Sequence, residues 1–193
     1  MPRNKSYNEN EVLERAMNVF WSNGYEATSV RLLEKEMGIN QFSIYSSFFN
    51  KKKLFIESIR WYRDYVKQNV YPGLLREDSG MKELEQFLLK AAQKKRAPGT
   101  VRGCLVVNTA AELGSNDEEI AAEVNNYFNF IRGMLKKVLQ TAVEKGEISK
   151  DTDIEKQSAF FLGIMQGLSV ASKTMDTDQL SDFVSIALKQ IKY

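Results

Sequence analysis

Residues 24–55, GYEATSVRLLEKEMGINQFSIYSSFFNKKKLF, decide the fold of the first part of this chain, because they encode two short amphipathic helices either side of a glycine turn. Thr28 and Ser29 place hydroxyls where a helix begins, ready to accept from the unpaired amides of the first turn. Val30, Leu33 and Met37 then recur at three- and four-residue spacing, while Arg31, Glu34, Lys35 and Glu36 fall toward solvent. Gly38 supplies the positive φ that a helix end often needs, Ile39 an apolar anchor, and Asn40 a cap for the next helix. That second helix is predicted over Gln41 to Phe48. Ile44 and Phe48, at i and i+4, pack inward and leave Gln41, Phe42, Ser43, Tyr45 and Ser46 outward. Two helices joined by a three- to four-residue turn containing glycine form a helix-turn-helix.

Working outward, Asn8 and Glu11 have capping-box spacing, so a helix is predicted from Glu9 to Asn23 with Val12, Leu13, Ala16, Met17, Val19 and Phe20 on its buried face. Gly24-Tyr25 ends it. Phe20, Trp21 and Tyr25 read as the core of a three-helix unit, since aromatics at helical spacing usually pack. A fourth helix is expected from Lys51 to about Tyr71, stopped by Pro72-Gly73. At 1.5 Å per residue it makes a rod of about 30 Å. Further helices are expected over Met81 to Lys95, Gly103 to Leu113, from an Asn116 cap to Lys145, over Ile154 to Met175 and over Asp178 to Ile191, with RAPGTVR at 96–102 as a loop. The chain is therefore expected to be all-α, with about nine helices.

Charge and absences narrow the function. Residues 1–60 hold nine Lys/Arg against seven Asp/Glu, while 61–193 hold eighteen of each sign, so the whole excess of +2 lies in the helix-turn-helix part. Lys51-Lys52-Lys53, at the start of the fourth helix, reads as a solvated helix end in isolation and as a phosphate-contacting run behind a helix-turn-helix. With no histidine there is no Ser-His-Asp or Cys-His arrangement, and with one cysteine no zinc thiolate cluster or intrachain disulfide. No glycine-rich phosphate loop and no distinctive carboxylate pair is present, so no enzyme, cofactor or metal site is expected. Phe160 to Leu168 is too short and too interrupted to span a bilayer, and MPRNKSYNEN lacks an apolar leader, so a cytoplasmic protein is expected.

Gly24-Tyr25, Thr28-Ser29-Val30, Gly38-Ile39, Ile44-Tyr45, Phe48 and Lys51 stand in the order found in the TetR family of bacterial transcription regulators, and from Val12 to Phe55 the chain resembles that family. The resemblance implies a DNA-binding domain at 1–50 and an effector-binding and dimerisation domain at 51–193, linked by the helix from Lys51. It also implies a homodimer on a palindromic double-stranded operator, most often as a repressor released by a small-molecule effector. By position in the family pattern, Thr28, Tyr45 and Lys51 are expected on phosphates, and Gln41, Phe42, Ser43 and Ser46 in the major groove. There Gln41 can pair with adenine, and Phe42 can pack on a thymine methyl. The arm with Arg3 and Lys5 is a further candidate for backbone contact. A helical small-molecule-binding protein without sequence-specific DNA binding is the competing reading; it has no need of Thr28, Tyr45 and Lys51 together.

Candidate effector-lining residues are Phe87, Cys104, Leu105, Asn108, Phe128, Phe161 and Met165, each of which has a plain reading as core. Cys104, at a helix start near Arg102, is read either as a small packed residue or as a reactive thiolate. In the last two helices Gly163, Gly167 and Ala171 recur every four residues, which fits both a dimer interface and packing within one chain.

Overall fold

Each of the first four helices begins where a side chain answers the unpaired amides of its first turn. Asn8 Oδ1 accepts from Asn10 N at 3.0 Å and opens α1 (Glu9–Asn23). Ser29 Oγ accepts from Leu32 N at 3.1 Å and opens α2 (Val30–Met37). Asn40 and Asn50 cap α3 (Gln41–Phe48) and α4 (Lys51–Asn69) in the same way. Beyond them come α5 (Met81–Gln93), α6 (Leu105–Leu113), α7 (Glu118–Glu144), α8 (Ile154–Ala171) and α9 (Thr177–Lys189). The computed structural model describes residues 7–93 and 102–191, and the described residues form nine helices and no strand, as the all-α expectation required. Among them no helix is long and apolar enough to cross a membrane.

The first three helices close around Ala16, Phe20, Leu33, Met37, Ile44 and Phe48, all buried. Burying six such side chains stabilises the unit by roughly 1.5–3 kcal/mol for each large one, before the entropy of ordering is set against it. Phe55 of α4 completes this core, its ring 4.7 Å from Phe20 and 4.9 Å from Tyr25. Farther along, α4 packs on α7 through Tyr62, so one rod is shared by the head and the rest of the molecule. α7 packs on α8, and α5 on α9.

Several boundaries differ from those read in the sequence. α4 ends at Asn69, where Tyr71 N turns back to Val66 O. α7 is capped by Asp117, whose Oδ1 takes the amides of Glu119 and Ile120, and not by Asn116. α8 and α9 stop at Ala171 and Lys189, short of the expected ends. At α1, Glu11 accepts from the Asn8 side-chain amide at 3.3 Å, while the reciprocal capping box forms at Asp176 and Gln179 instead. The stretch 94–101, with the expected end of α5 and most of the RAPGTVR loop, lies outside the described residues, as do Arg3 and Lys5.

Candidate nucleic-acid interface and effector cavity

The turn between α2 and α3 is built by Gly38, which adopts φ 72° and ψ 21° and returns its N–H to Glu34 O at 3.0 Å. The start of α3 is held twice: Asn40 Oδ1 accepts from Ser43 N at 2.9 Å, and the Glu34 carboxylate accepts from Gln41 N at 2.5 Å. With Ile44 and Phe48 buried, the helix cannot rotate, and its outer face is fixed. That face presents Gln41, Phe42 and Ser46 as exposed residues, with Ser43 and Tyr45 half-buried. Phe42 is 78% exposed, a large apolar ring left open to solvent on that face. Tyr7 fastens the segment before α1 to this helix, its hydroxyl 2.6 Å from Ser47 Oγ.

Sequence reasoning missed Phe49. It lies just past α3 with φ 63° and is 81% exposed at the junction with α4. Helical periodicity gave no signal for it, because it stands outside both helices and a positive φ is rare for such a residue.

Thr28 is placed otherwise than expected. Its side chain is fully buried and its hydroxyl donates to Gly24 O at 2.6 Å, closing the loop between α1 and α2. The exposed hydroxyl beside it is that of Ser29, already occupied as the α2 cap. The lysine run also divides. Lys51 Nζ lies over the Tyr25 ring at 4.4 Å and near Glu26 O at 3.5 Å, on the helix-turn-helix side. Lys52 turns the other way, to Asp117 at 3.2 Å and Glu119 at 2.9 Å, and Lys53 also pairs with Glu119. These two lysines therefore join α4 to the start of α7. Their charge holds the Glu119 carboxyl down at about 2, and amide donors together with Lys52 lower that of Asp117. Two further contacts cross the same joint. Glu112, at the end of α6, accepts the amides of Tyr25 and Glu26 at 3.0 and 2.8 Å. Buried Glu123 of α7 meets Arg60 at 3.0 Å and Arg63 at 3.6 Å.

Behind this joint lies a cavity of about 530 Å³, walled by α4, α5, α6, α7 and α8 and by Trp21 of α1. Of the expected lining, Phe87, Cys104, Phe128 and Met165 face it. Leu105 and Phe161 are buried core, and Asn108 is engaged elsewhere, donating to Arg102 O at 2.8 Å and accepting from Lys173 at 2.6 Å. The wall also contains Tyr62, Tyr71 and Tyr127, whose phenols burial pushes far above their ordinary range, so they stay protonated. Cys104 Sγ sits 3.6 Å from the Tyr127 hydroxyl. Trp21, read from sequence as core, is shared: its ring stands 5.0 Å from that of Tyr62, and its N–H donates to Gly103 O at 3.2 Å.

Known proteins match this arrangement along nearly its whole length. Residues 12–57 match the bacterial regulatory proteins of the tetR family, and residues 80–188, more than half of the chain, match the tetracyclin repressor-like C-terminal domain. An uncharacterized HTH-type transcriptional regulator of Bacillus subtilis (strain 168), YezE, is 28% identical over 97% of this chain and 98% of its own. The HTH-type transcriptional repressor ComR of Escherichia coli (strain K12) is 26% identical over 89% of this chain and 82% of its own. Among solved structures, a cysteine-substituted TetR family regulator, CifR, complexed with 26-bp operator DNA, is 25% identical and superposes with a TM-score of 0.84 over 98% of this chain and 99% of its own. The chain belongs to the TetR family of bacterial transcriptional regulators, and it works by sequence-specific binding of DNA, not by catalysing a reaction.

Proposed function

We propose that this protein is a ligand-responsive repressor that binds an inverted-repeat operator as a homodimer. The observation that carries the reading is the outer face of α3, where Gln41, Phe42, Ser43 and Ser46 form a neutral surface bordered by Tyr45 and Lys51. Gln41 is suited to adenine N6 and N7, and Phe42 to a thymine methyl, so A·T pairs are expected nearest the start of α3. With no Arg or Lys from Gln41 to Phe48, the common bidentate guanine contact has no donor there. Tyr45 and Lys51 are assigned to phosphates, which fix register without reading sequence. The division at residue 50 into a reading head and an effector-binding, dimerising part belongs to the same proposal, with α4 as the shared rod.

Dimerisation is assigned to α8 and α9. Val170 and Ile186 are 52% and 56% exposed there, with Phe160 and Met175 also open to solvent. Gly167 is used within the chain, since an added Cβ would stand 3.4 Å from the Phe183 ring, whereas one at Gly163 would meet nothing within 4 Å. Within the small-residue stripe, Gly167 thus packs internally, and the open space at Gly163 is assigned to a partner. Two heads would sit about 34–36 Å apart, one turn of DNA.

Selection of random duplexes by the purified protein at about 0.15 M salt tests the reading directly. One enriched inverted repeat with A·T pairs at the positions facing Gln41 and Phe42 is expected. Salt-sensitive binding with no enrichment would instead favour a helical small-molecule-binding protein, and full tolerance of G·C at those positions would remove the assignments of Gln41 and Phe42.

A further inference from the structure

We propose that the effector is an aromatic molecule carrying one anionic group, and that its anion captures the Arg102 guanidinium and thereby loosens the DNA-reading head. The proposal rests on reading the cavity as the effector site.

Three observations lead there. The walls are flat rings, among them Tyr62, Tyr127, Phe87 and Phe128, in a volume of about 530 Å³, within the range that encloses drug-sized ligands. Planar ligands gain stacked and edge contacts from such walls beyond simple burial. Second, among the described residues that line the cavity, Arg102 is the only charged one; the rest of the polar lining is phenols, a thiol, hydroxyls and an amide. The three buried phenols remain protonated, so they repel no anion and can donate to one.

Third, Arg102 is already occupied, and every one of those partners lies on α1. Its guanidinium lies 4.2 Å from the Trp21 ring, donates to Asn18 Oδ1 at 3.0 Å and reaches Ser22 Oγ at 3.5 Å. All three are neutral. A carboxylate or sulfonate brings an opposite charge and can take two parallel N–H bonds from the guanidinium, whereas Asn18 and Ser22 offer it only neutral oxygens, so an anion in the cavity outcompetes α1 for the same guanidinium. The neighbouring backbone is poised to pass the change on. Trp21 N–H is bonded to Gly103 O, and Cys104 N to Ser169 Oγ at 2.8 Å. Gly103 has φ 65°, and a Cβ there would stand 2.9 Å from Ser169 O, so residues 102–104 are wedged between α1 and α8 with little slack. Removing Arg102 from Trp21, Asn18 and Ser22 frees one face of the first helix of the head.

A matched pair of dyes tests this with the full-length protein: anilinonaphthalene sulfonate, which has the charge, and phenylnaphthylamine, which has the same rings without it. Expected are saturable binding of both, at least tenfold tighter for the sulfonate, and release of the selected operator by the sulfonate alone. Arg102→Gln is expected to keep the neutral dye and abolish the preference, and Arg102→Lys to keep part of it, with thermal unfolding verifying that both variants fold. Met165→Trp, which fills the cavity, is expected to remove both signals. Equal affinities in the natural protein, or an unchanged preference in Arg102→Gln, overturn the anion proposal while leaving the cavity as the effector site. If neither dye saturates, or Met165→Trp changes nothing, the cavity reading falls and the proposal with it.

Discussion

The family resemblance implies the same role for Thr28 and Lys51, and their surroundings separate them. Thr28→Val keeps the shape but removes the donor that closes on Gly24 O, so a loss of about 1–2 kcal/mol is expected in urea unfolding, with an unchanged salt dependence of operator binding. Lys51→Ala should do the reverse: little change in stability, weaker binding to every sequence, and a salt slope flatter by about one unit in a titration. A flattened slope for Thr28→Val or an unaltered one for Lys51→Ala would reverse the two assignments. A hydroxyl at a helix start is legible in sequence; whether it points at water or at a carbonyl four residues back depends on tertiary packing. Phe49 shows the same limit, since nothing in a phenylalanine announces a positive φ.

At the scale of single elements, α2, the turn and α3 were legible because their determinants are local: a cap, an apolar spacing and a glycine. Gly38→Ala is expected to cost about 1–2 kcal/mol, seen as a lower Tm, because a residue with a Cβ must occupy the left-handed region there. An unchanged Tm would mean that the turn tolerates another geometry. Helix ends were less legible where two residues compete for one cap. Asn116 and Asp117 adjoin, and the carboxylate won, taking two amides of α7 while also meeting Lys52. The cavity was legible only in part, for a related reason. Phe87, Phe128 and Met165 stood out as apolar residues on predicted helices, whereas Trp21 and Arg102 lie on distant segments that only the fold brings to one wall.

For the whole molecule, the joint between head and body depends on charge. Glu119 titrates at about 2 instead of 4.5, so its contribution to stability is complete above pH 4.5 and disappears as pH falls toward 2. Lys52 is shifted upward by the same partners, so it loses nothing near neutrality. Acid unfolding of Glu119→Gln should therefore diverge from the natural protein above pH 4.5 and converge with it below; a gap that persisted at pH 2 would assign the effect to another cause. Separately, Ile186→Asp is expected to yield monomers in sedimentation and at least a tenfold loss of operator affinity, and a dimer that survived would move the interface away from α9. The Glu112 contact has a different kind of consequence. It grips the head through the backbone amides of Tyr25 and Glu26, and a Cβ at residue 24 would stand 2.7 Å from its carboxylate. The grip therefore consults no side chain of the head beyond the lack of one at Gly24, so reading heads with other base preferences can be grafted onto this body, or diverge on it, without redesigning that part of the coupling.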